Sequence, residues 1–367
     1  MSNREEYMKY AIGVDLHKET VVIVVLDMEG KVVEQKTFST KCKQMLKDYF
    51  SSYGLHCEVA FESVGFYQWF WELVRPVVGK LHLADPVGVR ARAGRKAKTD
   101  KNDALVIAEM LLDGKIPEAY VPEEPYASLR KLVRLRHSIA RSLAHARKAL
   151  RWISLKTNLP GPAILTSDRA QKWILAQDQK FSETDRKSGR LHIDMIRNME
   201  YALEDIEREI CGYVKKAPEL QERYLILQSI PGIGPIAAAT IISETADILR
   251  FTSAGQICCY AGLAPRVSQS GETIRHGHIS KQGPPILRWV LQQAAWVAIR
   301  CSAEARKIFN RISRKAGKKK AATAMARKLL VYAWSVCRRN QPFKWEVKAD
   351  TQNIVRKTIE GGWSYQI

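Results

Sequence analysis

Four carboxylates and one cluster of hydroxyl and guanidinium groups have the types and spacing that chemistry on a phosphate ester needs. Asp15 lies in AIGVDLHK, Glu62 in AFESVG, and Asp100 and Asp103 in RKAKTDKNDALVIAEM. The last two are three residues apart, which on a helix starting near Thr99 puts both on one face. Asp15 and Glu62 each close an apolar run, so each stands where a strand would stop. Strand ends and a helix start can meet at one sheet edge. Four carboxylates gathered there would offer the oxygen ligands that Mg2+ or Mn2+ takes. A pair of such ions clamps the entering and leaving oxygens of an in-line phosphoryl displacement. Taken singly, each acid also has a plainer role, as a strand end, a helix cap or a first-turn carboxylate favoured by the helix dipole. Their joint order of strand, strand, helix is what points to a site.

The second constellation lies in CYAGLAPRVSQSGETIRHGHISKQGPPILRW. Pro265, Gly271, Gly277 and Gly283 predict loops here, up to a helix that begins near Ile286. Ser268, Ser270 and Ser280 stand among Arg266, Arg275, His276, His278 and Lys281, with Arg288 in the following helix. Guanidinium groups around a hydroxyl neutralise non-bridging phosphate oxygens and favour a developing alkoxide. No Ser/His/Asp triad can be read from the spacing, and a serine in a glycine-rich loop also serves as an ordinary turn residue. Upstream, LQSIPGIGPIAAATIISE has the form of a helix-hairpin-helix turn. There Gly232 and Gly234 would let backbone N–H groups approach a phosphate at a helix N-terminus. The same glycines also suit a plain tight turn between packed helices.

The elements that must position these groups follow from periodicity. AIGVD, VVIVVLD and KVVEQKTFS read as three strands in a meander, with Gly30 at the turn before the third. A polar helix over 41–54, a strand in CEVAFES, an aromatic helix in FYQWFWELVRPV and a strand in KLHLAD complete a mixed α/β sheet. Pro122 and Pro125 mark a linker. Beyond it Leu132, Leu135, Ile139, Leu143, Ala146 and Leu150 form one apolar helical stripe, and Ile193, Ile196, Met199, Leu203, Ile206 and Ile210 a second. Two such helices, separated by a polar stretch read as loop, predict a coiled coil between copies or an internal hairpin. A last helix spans Ala321 to Cys337, after the basic run RKAGKKK.

Lysine and arginine outnumber acids by 59 to 38 in 367 residues, a net charge of +21. That balance favours polyanionic partners and says nothing of fold. Seven cysteines lack metal-ligand spacing and suit a reduced interior. The first residues have no signal-peptide core, no run is apolar enough to span a bilayer, and a cytoplasmic protein without membrane contact is expected. No G-x-x-x-x-G-K-[ST] nucleotide loop is present.

The motifs IGVDLHK, FESVG and KTDKNDA together resemble the three acidic motifs of the DEDD transposases of insertion sequences, the IS-one-ten family. AGLAPRVSQSG, GHISKQG and the following LR are similar to that family's C-terminal domain. Val64 departs from the small or hydroxyl residue usual at its place. The resemblance implies an α/β RNase-H-like (RuvC-like) N-terminal domain over 1–122 and a helical, coiled-coil segment over 123–215. A mainly α serine transposase domain with the helix-hairpin-helix-like segment would cover 216–345, and a tail 346–367. It implies that Asp15, Glu62, Asp100 and Asp103 bind Mg2+ (or Mn2+) and that Ser270, which precedes Gly271, is the nucleophile, with Ser268 its near alternative. Arg266, Arg275, Lys281, Arg288, Gly232 and Gly234 would contact nucleic acid. The implied partners are donor and target DNA, an element-encoded bridge RNA and further copies of the chain in a homodimer or homotetramer. Two other classes fit the same residues: a metal-dependent nuclease of the junction-resolvase type, in which the quartet activates water, and a nucleic-acid-binding protein without catalysis.

Overall fold

The computed structural model describes residues 8–92, 100–159, 161, 166–270 and 273–344, without the side chains of residues 101, 178 and 267–276. The expected tail, 346–367, lies outside the described residues. The chain divides into two compact units, 1–121 and 122–367.

In the first unit β1 (Tyr10–Leu16), β2 (Thr20–Asp27) and β3 (Val32–Ser39) form the meander. Then follow α1 (Lys43–Tyr53), β4 (Cys57–Glu62), α2 (Gln68–Val74), β5 (Lys80–Ala84), α3 (Pro86–Arg92) and α4 (Asp100–Leu112). The strand order is β3-β2-β1-β4-β5. The meander pairs are antiparallel, whereas β4 runs parallel to β1 and β5 parallel to β4. This is the RNase-H-like arrangement.

Alternation along the strands gives the sheet two apolar faces. Ile12, Val14, Leu16, Val59 and Phe61 pack with Leu46 and Phe50 of α1 and Phe70 and Val74 of α2. Ala11, Val22, Val24, Leu26 and Ala60 face the other way and pack with Ala104, Ile107, Ala108 and Leu111 of α4. Small residues on this second face let α4 come very close. A Cβ placed on Gly13 would lie 2.0 Å from the Ala104 carbonyl oxygen and 2.5 Å from the Ala108 nitrogen. Position 13 therefore has no room for any side chain while α4 stays in place.

The second unit opens with α5 (Tyr126–Lys156), α6 (Ser167–Ala176) and α7 (Glu183–Lys216). The two apolar stripes meet within one chain, as an antiparallel hairpin. Arg136 of α5 pairs with Glu207 of α7 at 2.7 Å, and Arg147 with Glu200 at 2.8 Å, so one helix climbs while the other descends. At the hairpin tip, Leu143, Leu150 and Ile153 pack with Ile193 and Ile196. The stretch read as loop supplies a further helix there, α6, whose Trp173 and Ile174 complete this cluster. Its polar exposed face had hidden its period. Ser182 caps α7, accepting from the Asp185 N–H and donating to the Asp185 carboxylate. At the open end, Leu129, Val133, Ile206 and Ile210 join one large core with the helices that follow.

Those helices are α8 (Pro218–Gln228), α9 (Pro235–Thr245), α10 (Ala254–Tyr260), α11 (Pro285–Cys301), α12 (Ala303–Ala316) and α13 (Lys318–Arg339). Between α10 and α11 lie β6 (Pro265–Ser270) and β7 (Thr273–Ile279), a two-stranded antiparallel ribbon. The sequence had predicted loops there. The many polar residues and interspersed glycines of this stretch obscure the two-residue period that marks a strand. An ion pair fastens α5 to α9: Glu244, fully buried, accepts from Arg134 Nε at 2.9 Å and Nη2 at 3.0 Å. The guanidinium of Arg130 caps the same helix end by donating to the Ser243 and Glu244 carbonyls.

Candidate active site

The parallel register pairs Val14 of β1 with Phe61 of β4, so the next residues, Asp15 and Glu62, stand side by side where both strands end. Both lie at even spacing from residues that face α4, Ala11 and Ala60, and so share that face of the sheet. Packing Ala104 and Ala108 against Gly13 brings the first turn of α4, with Asp100 and Asp103, towards the same edge. Burial and the negative charges of Asp103 and Asp100 together push the Asp15 carboxyl above its ordinary value, while His17 opposes them. The structure thus gathers Asp15, Asp100 and Asp103, with Glu62 on the strand beside Asp15.

One residue of this edge carried no expected role. His17 Nε2 lies 3.0 Å from an Asp15 carboxylate oxygen and 3.5 Å from one of Asp100. One ligand atom from each of Asp15, His17 and Asp100 can be chosen so that all lie within 4.8 Å of one another, close enough to share a metal ion. The signal was in the sequence: residues two apart on a strand share a face, and His17 follows Asp15 by two. The donor set fits a divalent cation. A half-buried carboxyl crowded by other acids is costly as an anion unless positive charge joins it. Carboxylate oxygens suit Mg2+ and Mn2+, and an imidazole nitrogen suits Mn2+ better than Mg2+.

The second constellation stands on the ribbon. Its register sets Ser268 opposite Arg275 and Ser270 opposite Thr273, next to the turn. The side chains of Ser268, Ser270 and Arg275 lie outside the described residues. Arg266 is exposed and reaches the Ser280 carbonyl at 3.4 Å. Lys281 is exposed, with a positive φ of 57°. Arg288 donates to the Ala261 carbonyl at 3.1 Å and the Gly283 carbonyl at 2.8 Å, and burial lowers its pKa. Its guanidinium ties the base of the ribbon to the end of α10.

The two glycines of the upstream turn divide their tasks. Gly232 has φ +88°, and a Cβ there would lie 2.3 Å from the Ala294 carbonyl of α11. It serves close helix packing. Gly234 caps α9, is exposed, and has open space where a Cβ would be. Of the pair, Gly234 is the one whose surroundings leave a helix N-terminus accessible.

Among the described residues no helix is long and apolar enough to cross a membrane, and all seven cysteines are free.

A DEDD transposase profile matches residues 12–154, and one described as "Transposase IS116/IS110/IS902 family" matches residues 224–310. The chain belongs to this transposase family. A Sinorhizobium fredii relative described as a transposase, y4qE, is 28% identical over 228 residues, covering 62% of this chain and 54% of that protein. The chain thus spans about half the length of that relative. The family 20 transposase of Pseudomonas aeruginosa is 25% identical over 300 residues, 80% of this chain and 85% of the relative. A pilin gene-inverting protein of Moraxella bovis is 27% identical over 270 residues, 72% and 74% of the two chains.

Proposed function

We propose that the protein is a recombinase that cuts and rejoins the DNA of its own mobile element through a serine nucleophile. The observation that carries this reading is the convergence of Asp15, Asp100 and Asp103 at the edge where Glu62 also ends its strand. Asp15, Glu62, Asp100 and Asp103 would hold Mg2+ or Mn2+, with His17 beside them. A cation bound there supplies Lewis-acid neutralisation of charge on the phosphate under attack. The hydroxyl of Ser270, with Ser268 the alternative, attacks phosphorus. One strand P–O bond breaks, its oxygen takes up a proton, and the serine proton is released. The product is a phosphoserine ester. Attack by the hydroxyl of another strand end reverses these steps and frees the serine, so the bond energy is conserved and no ATP is needed.

Arg266, Arg275 and Lys281 would neutralise phosphate oxygens of DNA, and Gly234 would let a phosphate approach the N-terminus of α9. The resemblance adds donor and target DNA paired with an element-encoded bridge RNA, and assembly as a homodimer or homotetramer. The net charge of +21 agrees with partners of this kind.

The test is recombination of a plasmid carrying both element ends by the purified protein with its RNA. Ser270→Ala should abolish both recombinants and protein–DNA adducts. Asp15→Asn should lower strand transfer by about 100- to 1,000-fold. Normal recombination by Ser270→Ala would refute covalent catalysis at that residue and pass the role to Ser268→Ala. A second reading, a metal-dependent nuclease, is favoured by the acidic edge being formed entirely within the first unit. It predicts nicked DNA without adducts, unaffected by Ser270→Ala and Ser268→Ala alike.

A further inference from the structure

The hairpin carries a groove that none of these assignments uses. It lies between α5 and α7, has a volume of about 530 Å3, and has a mixed lining. Its polar residues are Ser138, Arg141, Ser142 and His145 of α5 and His192 of α7. Its apolar residues are Ala146, Ala149, Met195 and Met199. No carboxylate lines it. His192 donates from Nδ1 to the Ser188 carbonyl at 2.8 Å, which leaves Nε2 for another partner.

The charge around the groove is one-sided. From Tyr126 to Lys156, α5 has nine lysines and arginines and no acid. Several of these serve the fold: Arg134 is held by Glu244, Arg136 by Glu207 and Arg147 by Glu200. Among the described residues Lys131, Arg141 and Lys148 meet no carboxylate, and all three are exposed. Positions 131, 138, 141, 145, 148 and 152 recur at helical spacing and so follow one side of α5, for about 30 Å. At its far end Trp152 is 62% exposed.

We propose that this groove binds an unpaired strand of nucleic acid. Phosphates would lie along Arg141, the two serines and Lys148, and one base would enter against Met195 and Met199. Trp152 offers a stacking surface for another. The volume is on the scale of a small-molecule pocket and suits one nucleotide, whose phosphate and base call for the same mixture of cationic, hydroxyl and apolar lining. A second copy of the chain docking a helix here would need an apolar seam. The stripe instead offers lysine, serine, arginine and histidine, with Trp152 at its end the single apolar member. A duplex could use the charges but could not place a base in the groove.

This proposal rests on the reading of the protein as a nucleic-acid recombinase. Its test uses the full chain with three fluorescent probes, an oligouridylate, the matching oligodeoxythymidylate and a DNA duplex, titrated across a range of salt. Either single strand should bind more tightly than the duplex through this groove, and the RNA and DNA arms identify its natural source. Reversing two charges, in R141E/K148E, should weaken single-strand binding at least tenfold. R141A should lower the salt slope for the single strand by about 0.7. Light-induced crosslinks from 4-thiouridine should map to peptides with Met195, Met199 or Trp152. Unchanged affinity and slope in these variants, with binding intact in the parent, would overturn the groove and leave the recombinase reading standing. Failure of the parent to bind any probe would overturn both. Loss of self-association in R141E/K148E with single-strand affinity unchanged would assign the face to another copy of the chain and refute the proposal.

Discussion

The acidic edge of the first unit and the basic helix of the second are assembled in opposite ways. Asp15, Glu62 and the Asp100–Asp103 pair come from β1, β4 and α4, and only the sheet register and the descent of α4 onto Gly13 bring them together. The cations of α5 are set out by one helix, and their spacing is that of the helix itself. A site made by topology fails as a unit when packing is disturbed. A site made along one helix loses its parts one at a time. The basic helix is also mixed in purpose: Arg134 and Arg136 hold the fold, whereas Arg141 and Lys148 have no acid to hold among the described residues.

The largest effect should fall on the cations that the fold uses. Arg134→Met leaves the fully buried Glu244 without its bidentate partner and should cost about 3–5 kcal/mol in urea unfolding. Arg141→Ala, seven residues on, should stay within about 0.5 kcal/mol of the parent. Equal losses would erase the division of α5 into structural and free charges.

Mn2+ at about 100 times its dissociation constant should stabilise the parent by about 2.7 kcal/mol. Asp15→Asn should lose most of that stabilisation, and R141E/K148E should keep it, because the two lie on different units. A melting temperature in Asp15→Asn that still rises with Mn2+ as in the parent would remove the acidic edge as the metal site.

Gly13→Ala forces a methyl group to within 2.0 Å of the Ala104 carbonyl and should cost about 1–3 kcal/mol while weakening Mn2+ binding. Oligonucleotide binding by the groove should be unchanged. Retained metal affinity would mean that the position of α4 does not set the acidic edge.

The smallest effect concerns His137 on α5. Burial, then Arg141 and Arg136, hold its pKa below the ordinary value of 6.5, and its buried Nδ1 has no hydrogen-bond partner among the described residues. Protonation is therefore harder in the folded protein than in the unfolded one. Its contribution to stability is complete above 6.5 and declines as pH falls below that value. His137→Gln should flatten the acid side of the stability curve, and an unaltered curve would count against this assignment.

Much of the first unit was legible because its strands are short apolar runs set apart by turns and polar helices. Short β-branched and apolar runs bounded by turn residues located all five strands, and the acids at their ends followed. His17 was passed over because only the folded edge brings Asp100 to it, even though its spacing from Asp15 already gave the shared face. The second unit hid more. The ribbon strands, PRVSQS and TIRHGHI, are mostly polar in sequence, so they read as loop. The stripes of α5 and α7 stated that two helices pair, but a stripe is the same whether its partner is in the same chain or another. The Arg136–Glu207 and Arg147–Glu200 bridges, far apart in sequence, decide that. Gly232 matched a phosphate-binding turn by pattern, and only the proximity of α11 reveals its packing duty.

The contact between α4 and β1 has a consequence for precision. Side chains between two elements act as cushions, and their rotamer changes let the elements drift by fractions of an ångström. At Gly13 there is no cushion, because peptide rests on peptide, and the spacing is fixed by the stiffest parts of the molecule. The carboxylates at that end are therefore indexed to a hard stop, and a cation gathered there would find its oxygens at nearly the same separations on every encounter.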